Sequence, residues 1–355
     1  MYRFLRPLLF RLDAEAAHAL GVRAAALGQQ AAPLVRARYG FGHPALEQTV
    51  FGLRFPNPVG LAAGFDKDAE LVRFWAALGF GFCEVGSVTA RPSPGNPRPR
   101  AFRLPEDRAL VNRMGLNNAG ADAVAERLAR TEAPLPLGIN LAKTHSPEIL
   151  GDAATEDFVH SFRRLAPLAD YVALNVSCPN TAEGKTFEEP AALDALLGAV
   201  MRERADVAPA VPVLVKLSPP PSERFDGGPV DELIAIAQRH GVAGFVASNT
   251  ASDRAGLRTE PAAVEQVGPG GLSGQPLEAR ATALVRHLYR RTGGALPIVG
   301  VGGVDSAEAA YRKVRAGASL VELYTGLVQR INRGLVRLLE RDGLGSIGEA
   351  VGADA

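Results

Sequence analysis

The feature that most constrains this chain is a rhythm that runs from residue 55 to near its end. A short apolar run gives way to a glycine or polar turn, and then to an amphipathic helical stretch. The apolar runs fall at 59–63, 82–86, 137–141, 171–175, 213–217, 244–248, 297–300 and 320–324. Helical patterns follow most of them, at 69–78, 156–168, 191–204, 229–240, 277–291, 306–316 and 327–339. The runs are apolar throughout instead of alternating, as parallel strands covered on both faces must be. Eight such units predict an α/β fold, a (β/α)8 TIM barrel, in preference to an open sheet. A length of 355 residues suffices for that barrel with a small addition. With 47% hydrophobic and 22% charged residues the chain is globular, which excludes disorder, collagen and coiled coil as its main architecture.

The addition precedes the barrel. Residues 1–40 carry six arginines against Asp13 and Glu15, a local balance of +4. Phe4, Leu5, Leu8, Leu9 and Leu12 recur at helical spacings, and Asp13 reads as the N-cap of a second helix from Ala14 to about Gly28. A basic amphipathic pair can lie in a membrane interface, or it can simply cap the main domain. The division expected is a helical region at 1–45, a barrel at 46–342 and a loose polar-glycine tail at 343–355. Residues 88–120, rich in Pro, Arg and Asn, read as a long functional loop over one mouth, with room for a hairpin. No apolar run reaches the roughly 18 residues of a spanning helix. The N-terminus is broken by Arg3, Arg6, Arg11 and Asp13 and does not read as a secretory signal.

Global charge narrows the partners. Lys+Arg 39 against Asp+Glu 38 leaves no excess for a generic nucleic-acid coat. Cys83 and Cys178 stand far apart, with neither disulfide nor zinc spacing, and suit a reducing cytosol. His18 and His145 are isolated, so no metal is expected.

Barrel enzymes place chemistry at the C-terminal ends of their strands. Here those ends carry Gly64-Phe65-Asp66-Lys67, Ser87, Asn140, Asn175, Lys216, Asn249-Thr250, Gly302-Gly303 and Tyr324-Thr325. Any one of these is an ordinary turn former. Three amides and two lysines in one ring can instead hold a planar heterocycle that both donates and accepts hydrogen bonds. Glycine turns at 300–303 and 316–319 suggest a phosphate cradle at strands seven and eight. They do not form the dinucleotide fingerprint, since Asp305 stands where its third glycine belongs. A phosphorylated planar cofactor, FMN, fits both parts. Lys216 ends an apolar strand, where it is either half of a structural ion pair or a cation beside the flavin. Cys178, in Asn175-Val-Ser-Cys-Pro-Asn180, is either an apolar filler or a proton-transfer group at the mouth.

Together LAAGFDKD, NRMGLNN (112–118), NVSCPN, VKLSP, SNT, GGLSG (270–274) and GVGG resemble the dihydroorotate dehydrogenase family, in order and over essentially the whole chain. The N-terminal DAEAAHAL around His18 resembles its quinone-dependent, membrane-associated class. The resemblance implies FMN-dependent oxidation of dihydroorotate to orotate in pyrimidine synthesis, with electrons passed to a membrane quinone. It implies a monomer, peripheral on the cytoplasmic side of the cell membrane, with no nucleic-acid partner. By position, Ala63, Gly64, Lys67, Ser87, Asn140, Asn175, Lys216, Ser248, Gly274, Gly303, Tyr324 and Thr325 match FMN contacts. Lys67, Asn112, Arg113, Met114, Gly115, Leu116, Asn175, Asn180, Asn249 and Thr250 match the surroundings of the substrate. His18 and Arg103 match the quinone site, and Cys178 matches the catalytic base. The quinone class normally has Ser at that position, Cys being typical of the cytosolic class. The loop at Glu183-Gly-Lys-Thr also lacks the Arg usual in the quinone class. The rivals are a cytosolic-type enzyme using fumarate or another soluble acceptor, another FMN barrel such as a tRNA dihydrouridine synthase, and a flavin-free phosphate-binding barrel.

Overall fold

A computed structural model describes residues 10–177, 186–324 and 326–355. The strands begin with a hairpin, β1 (Gln48–Val50) and β2 (Leu53–Phe55). Next come β3 (Val59–Leu61), β4 (Phe82–Val88), and an antiparallel pair, β5 (Ala101–Leu104) and β6 (Ala109–Asn112). β7 (Leu137–Leu141), β8 (Tyr171–Asn175), β9 (Val213–Leu217) and β10 (Gly244–Ala247) follow, then β11 (Gly271–Gly274), β12 (Ile298–Val301) and β13 (Leu320–Leu323). Eight of these, β3, β4, β7, β8, β9, β10, β12 and β13, pair in that order and close when β13 meets β3. The closure is the (β/α)8 TIM barrel that the strand rhythm predicts.

Alternate residues of each strand point into the barrel, and its two ends are filled differently. At the N-terminal end Phe82, Tyr171, Leu214, Val246, Val299 and Leu320 pack with Val50 and Phe55 of the β1–β2 hairpin, which plugs the barrel with apolar side chains. Gly60 and Gly138 make room for this plug, because a Cβ on either would strike the ring of Phe82 or Tyr171. At the C-terminal end the inward residues turn polar. Loops leaving the C-terminal ends of β4 and β10 carry β5, β6 and β11, which join as a three-stranded antiparallel sheet at that mouth. The larger apolar core lies outside the strands, under the surrounding helices.

Two helices precede the barrel, α1 (Ala14–Gln30) and α2 (Ala32–Tyr39). Asp13 caps α1 as its sequence position predicts, its Oδ1 accepting from the N–H groups of Glu15 at 2.9 Å and Ala16 at 3.0 Å. Phe4, Leu5, Leu8 and Leu9 of the apolar repeat lie outside the described residues.

Two expectations need correction, and a third needs an addition. The end of the chain is not loose: Ile347 and Ala350 are fully buried, and the carboxylate of Asp354 pairs with Arg315 at 2.6 Å. The 316–319 turn leads into β13 and so lies at the N-terminal end of the barrel, away from the mouth, where Gly317 packs on Tyr289. The hairpin within residues 88–120 is β5–β6, but its sheet is completed by β11, a strand absent from the sequence reading.

Candidate active site

The polar mouth rests on a buried charged bed. Glu84 of β4 is fully buried and accepts three hydrogen bonds, from Lys216 Nζ at 3.3 Å, Asn140 Nδ2 at 2.9 Å and the Tyr171 hydroxyl at 3.4 Å. Above it the side chains form a chain of contacts. The Ser87 hydroxyl donates to Asn140 Oδ1, and Asn175 Nδ2 donates to Ser87 Oγ at 3.0 Å. Asn249 Nδ2 then donates to Asn175 Oδ1 at 3.1 Å and to the Ser177 carbonyl at 2.9 Å. Ser87, Asn140, Asn175 and Lys216 from four different strands are therefore one network. Ser248 is buried beside it, its hydroxyl donating to the Asn249 carbonyl at 3.1 Å.

The loop after β3 supplies a second lysine. Asp66 anchors that loop, accepting from the N–H groups of Glu70 and Leu71 and from Trp75 Nε1 at 2.8, 2.9 and 3.0 Å. Lys67 Nζ and the Tyr324 hydroxyl both donate to the Gly64 carbonyl, at 2.7 and 3.0 Å. Lys67 keeps some exposure, yet the protein mass around it pushes its ammonium down to about 8. Ala63 lies in the turn just before Gly64.

The double glycine after β12 is pressed against a helix start. Gly303 has φ +70°, and a Cβ there would come within 2.5 Å of Glu278 Cβ and 2.9 Å of its backbone nitrogen. Only glycine suits that conformation and that approach. Gly274, with φ +99°, leads into the same helix, Glu278–Thr292, through one short turn. Gly303, Gly274 and a helix N-terminus thus converge, a geometry that suits an anion.

The segment expected around a substrate is held largely by its backbone. The carbonyls of Met114 and Gly115 accept from Asn96 N–H at 3.0 Å and the Ser93 hydroxyl at 3.2 Å, and Asn112 Nδ2 donates to Gly271 at 3.4 Å. Arg113 is committed elsewhere: its guanidinium donates to the carbonyls of Val267 and Pro269 and stacks on Phe102. Leu116, with φ +53°, offers its carbonyl to Asn118 Nδ2 at 2.7 Å. Asn117 Oδ1 is buried and, among the described residues, without a partner. Thr250 N–H donates to Asn249 Oδ1 at 2.8 Å. Cys178, Asn180 and Thr325 lie outside the described residues.

A further cluster joins α1 to the mouth. The Phe65 ring lies 4.7 Å from His18, 5.0 Å from Tyr324 and 5.0 Å from Trp75. Burial, then the charge of Lys67, pushes the His18 imidazole down to about 4, so it is neutral near pH 7. Arg103 donates to the Leu12 carbonyl at 2.8 Å and stacks on Phe10. Glu15 takes Arg100 on both carboxylate oxygens, at 2.7 to 3.2 Å, and Arg98 at 3.0 Å, contacts that hold its carboxyl below the usual range.

Sequence reasoning missed Glu84, Glu322, Tyr171 and the Glu15–Arg100 clasp. A signal existed for the first two: each is a lone acid inside an apolar strand, two residues from a large inward side chain, Phe82 or Leu320. Among the described residues no group of His, Cys, Asp and Glu is arranged to hold a metal.

A family model described as dihydroorotate dehydrogenase matches residues 45–339. A dihydroorotate dehydrogenase (quinone) of Natronomonas pharaonis is 46% identical over 364 residues, covering 100% of this chain and 99% of that protein. One from Anaeromyxobacter dehalogenans is 48% identical over 360 residues, covering 99% and 96%. The crystal structure of ligand-free DHODH from Eimeria tenella superposes with a TM-score of 0.84 at 31% identity, covering 96% of this chain and 99% of that one. Matches of this length and identity settle the kinship, and the chain belongs to the dihydroorotate dehydrogenase family.

Proposed function

We propose that the chain oxidises (S)-dihydroorotate to orotate on FMN at the barrel mouth and passes the electrons to a membrane quinone, as a step of de novo UMP synthesis. The observation that carries this reading is the single network of Ser87, Asn140, Asn175 and Lys216 across four strand ends, standing beside a glycine cradle. That donor set fits FMN: amides and hydroxyls suit the edge of a planar heterocycle, and Gly303 beside a helix N-terminus suits its phosphate. Ala63, Gly64, Ser248, Gly274, Tyr324 and Thr325 complete the proposed FMN contacts. When bound, FMN supplies the two-electron acceptor that the oxidation requires.

The chain's own residues do the rest. The Lys67 ammonium, present below about pH 8, binds the substrate carboxylate. Asn112, Met114, Gly115, Leu116, Asn175, Asn180, Asn249 and Thr250 orient its ring, while Arg113 acts through the carbonyls it holds. Cys178 takes the proton from C5 as hydride leaves C6. A thiol ordinarily titrates near ~8.5 and is therefore closer to serving as a base near neutrality than a Ser hydroxyl. Lys216, balanced from below by Glu84, presents positive charge to the mouth.

His18, Phe65, Arg103 and Tyr324 line the proposed quinone entry between α1 and the mouth. The outer surfaces of α1 and α2 expose Leu20, Leu27 and Leu34, which supports placing the monomer against the cytoplasmic face of the membrane. No helix among the described residues is long and apolar enough to cross it.

An anaerobic absorbance experiment tests the reading. A flavin spectrum that bleaches with dihydroorotate and returns with quinone, but not with fumarate, is the expected result. Return with fumarate instead reassigns the acceptor, a flavin unmoved by dihydroorotate removes the substrate, and a colourless protein removes the cofactor. In Cys178→Ala, FMN binds normally and the rate of bleaching falls ~10²–10⁴-fold, the usual worth of a positioned base. Bleaching at the normal rate in that variant would take Cys178 out of the base role.

A further inference from the structure

Glu322 of β13 sits in the same bed as Glu84 and is accounted for by nothing in the reaction. Its side chain is fully buried, and neither carboxylate oxygen has a hydrogen-bond partner among the described residues. Its strand neighbours offer nothing ionic, since β3 places Gly60 and β12 places Val301 beside it. The titratable groups facing it from across the barrel are Glu84 of β4, Lys216 of β9 and the Tyr171 hydroxyl of β8, with the Cys83 thiol of β4 also within electrostatic reach.

The charges do not balance if all of these take their ordinary forms. Glu84 is engaged by Lys216, Asn140 and Tyr171 and has every reason to be the carboxylate. Lys216, with a side chain only 7% exposed, is the one cation. An ionised Glu322 would add a second negative charge in a sealed interior, where the groups that could offset it, Lys216 and the Tyr171 hydroxyl, already donate to Glu84. Buried charges of that kind are neutralised rather than tolerated. Two facing carboxyls in such a place hold one proton between them, as in other carboxyl dyads. The proton also supplies the missing hydrogen bond: an ionised carboxylate only accepts, whereas the acid form can donate to Glu84.

We propose that Glu322 is held as the neutral acid, its proton donated toward Glu84, and that it is a positioning residue keeping the Glu84–Lys216 pair electrically balanced beneath the flavin. Burial, followed by the charge of Glu84, raises the Glu322 carboxyl well above its ordinary range, in agreement with the geometry. The consequence for the mouth is that Lys216 is opposed by one carboxylate and not two. More of its positive charge then reaches a reduced, anionic ring. This consequence rests on the flavin reading above, whereas the protonation state does not.

Infrared spectroscopy of full-length protein, flavin-loaded and flavin-stripped, tests the two parts separately. In protein labelled with ¹³C-glutamate, so that Asp66 does not contribute, a protonated-carboxyl C=O band is expected at pH 7 in both forms. It should be lost in Glu322→Gln. Absence of the band in the wild type overturns the proposal, and that measurement needs no variant to fold. The second readout is the flavin midpoint potential. Glu322→Gln, a neutral replacement for a neutral acid, should leave it unchanged at pH 7. Glu84→Gln removes a true charge beside Lys216 and should raise it. A raised potential in Glu322→Gln would mean that Glu322 is ionised and would overturn the balancing role. A protein that shows the band but binds no flavin would overturn the flavin reading and leave the proton in place. Stability against pH has a fixed sign: a carboxyl raised on folding loses its contribution as pH climbs above the unfolded value of about 4.5. Glu322→Gln should therefore gain stability over the wild type as pH rises from there, and an equal pH profile for both proteins would count against a raised carboxyl.

Discussion

Every residue of β7, β8 and β9 is buried, whereas α1 buries only Ala25 and α2 buries none. The barrel is closed on itself and plugged by its own hairpin. The two helices are fastened at a few polar points, among them Glu15 to Arg98 and Arg100, Gln29 to the 70–74 backbone, Arg103 to the Leu12 carbonyl, and Gln329 to the Arg38 carbonyl at the end of α2. Leu20, Leu27 and Leu34 face outward, 51%, 69% and 74% exposed, on a segment that does not need them for its own packing. The contrast separates two tasks. On the function proposed above, barrel stability and dihydroorotate chemistry fall to the closed unit, and access for a second, apolar reactant falls to the loosely attached one. The comparison can be broken at either side.

The largest effect is expected inside the barrel. Lys216→Met leaves Glu84 without its cation in a sealed interior, and removing one partner of a buried pair typically costs ~3–5 kcal/mol. Urea unfolding of the flavin-free protein measures this without reference to turnover. A loss below ~1 kcal/mol would mean that the bed is wetter, or its charges fewer, than the geometry requires. The next effect lies across the boundary. Deleting residues 1–40 should lower quinone turnover by ~10²-fold through lost positioning, while anaerobic reduction by dihydroorotate continues at its normal rate. If both half-reactions fall together, the cap is part of the barrel and the comparison fails.

Glu15→Ala is the finer version of that cut. Arg100 keeps the carbonyls of Pro94 and Asn96, at 2.8 and 3.0 Å, so the barrel should lose no more than ~1–2 kcal/mol. The clasp that orients α1 over Phe65 is lost, however, and the KM for quinone should rise several-fold while that for dihydroorotate holds.

The barrel was legible in the sequence because parallel strands covered on both faces must be apolar along their whole length. For that reason 137–141, 171–175 and 213–217 coincide with β7, β8 and β9. The hairpin Gln48–Phe55 escaped notice because strands of three residues, exposed at Thr49 and Arg54, carry no periodicity to detect. β11 escaped because Gly271-Leu-Ser-Gly274 has turn composition, and it is a strand only through pairing with β6, 159 to 165 positions earlier. Ring members at strand ends were readable one by one from polar residues that interrupt apolar runs. Their partners were not: nothing in sequence order joins Glu84 to Lys216, or Glu15 to Arg100, since closure of the barrel and docking of α1 create those contacts. The 316–319 turn was misplaced for the same reason, because glycine composition does not reveal which end of a barrel a turn occupies.

Lys67 gives a prediction in pH. Burial lowers its ammonium to about 8, so the charged form proposed to meet the substrate carboxylate is present below that value and lost above it. The KM for dihydroorotate should stay level from pH 6 to 7.5 and then climb by up to about tenfold per pH unit. Lys67→Arg should remove the climb, because a guanidinium stays charged throughout, though its larger fork will raise the KM at every pH. A profile that bends equally in Lys67→Arg would assign the titration to another group.

The smallest effect tests the outer face of the cap. Leu34 is 74% exposed in α2, a helix with no buried residue, so Leu34→Ser removes almost no packing and should change stability by less than ~0.5 kcal/mol. If α1 and α2 rest on a bilayer, the same change withdraws an apolar side chain from lipid. Partitioning into vesicles should then weaken by an order of magnitude at most, since a fully buried Leu is worth ~1.5–3 kcal/mol and a side chain lying at the interface gains only part of that. Turnover with a water-soluble quinone should be untouched, and turnover with a long-chain quinone in vesicles should fall in step with binding. Equal losses with both quinones would place Leu34 in the quinone path itself. Unchanged vesicle binding would shift the membrane contact to Leu20 and Leu27 on α1, and the same pair of measurements on Leu27→Ser would decide that.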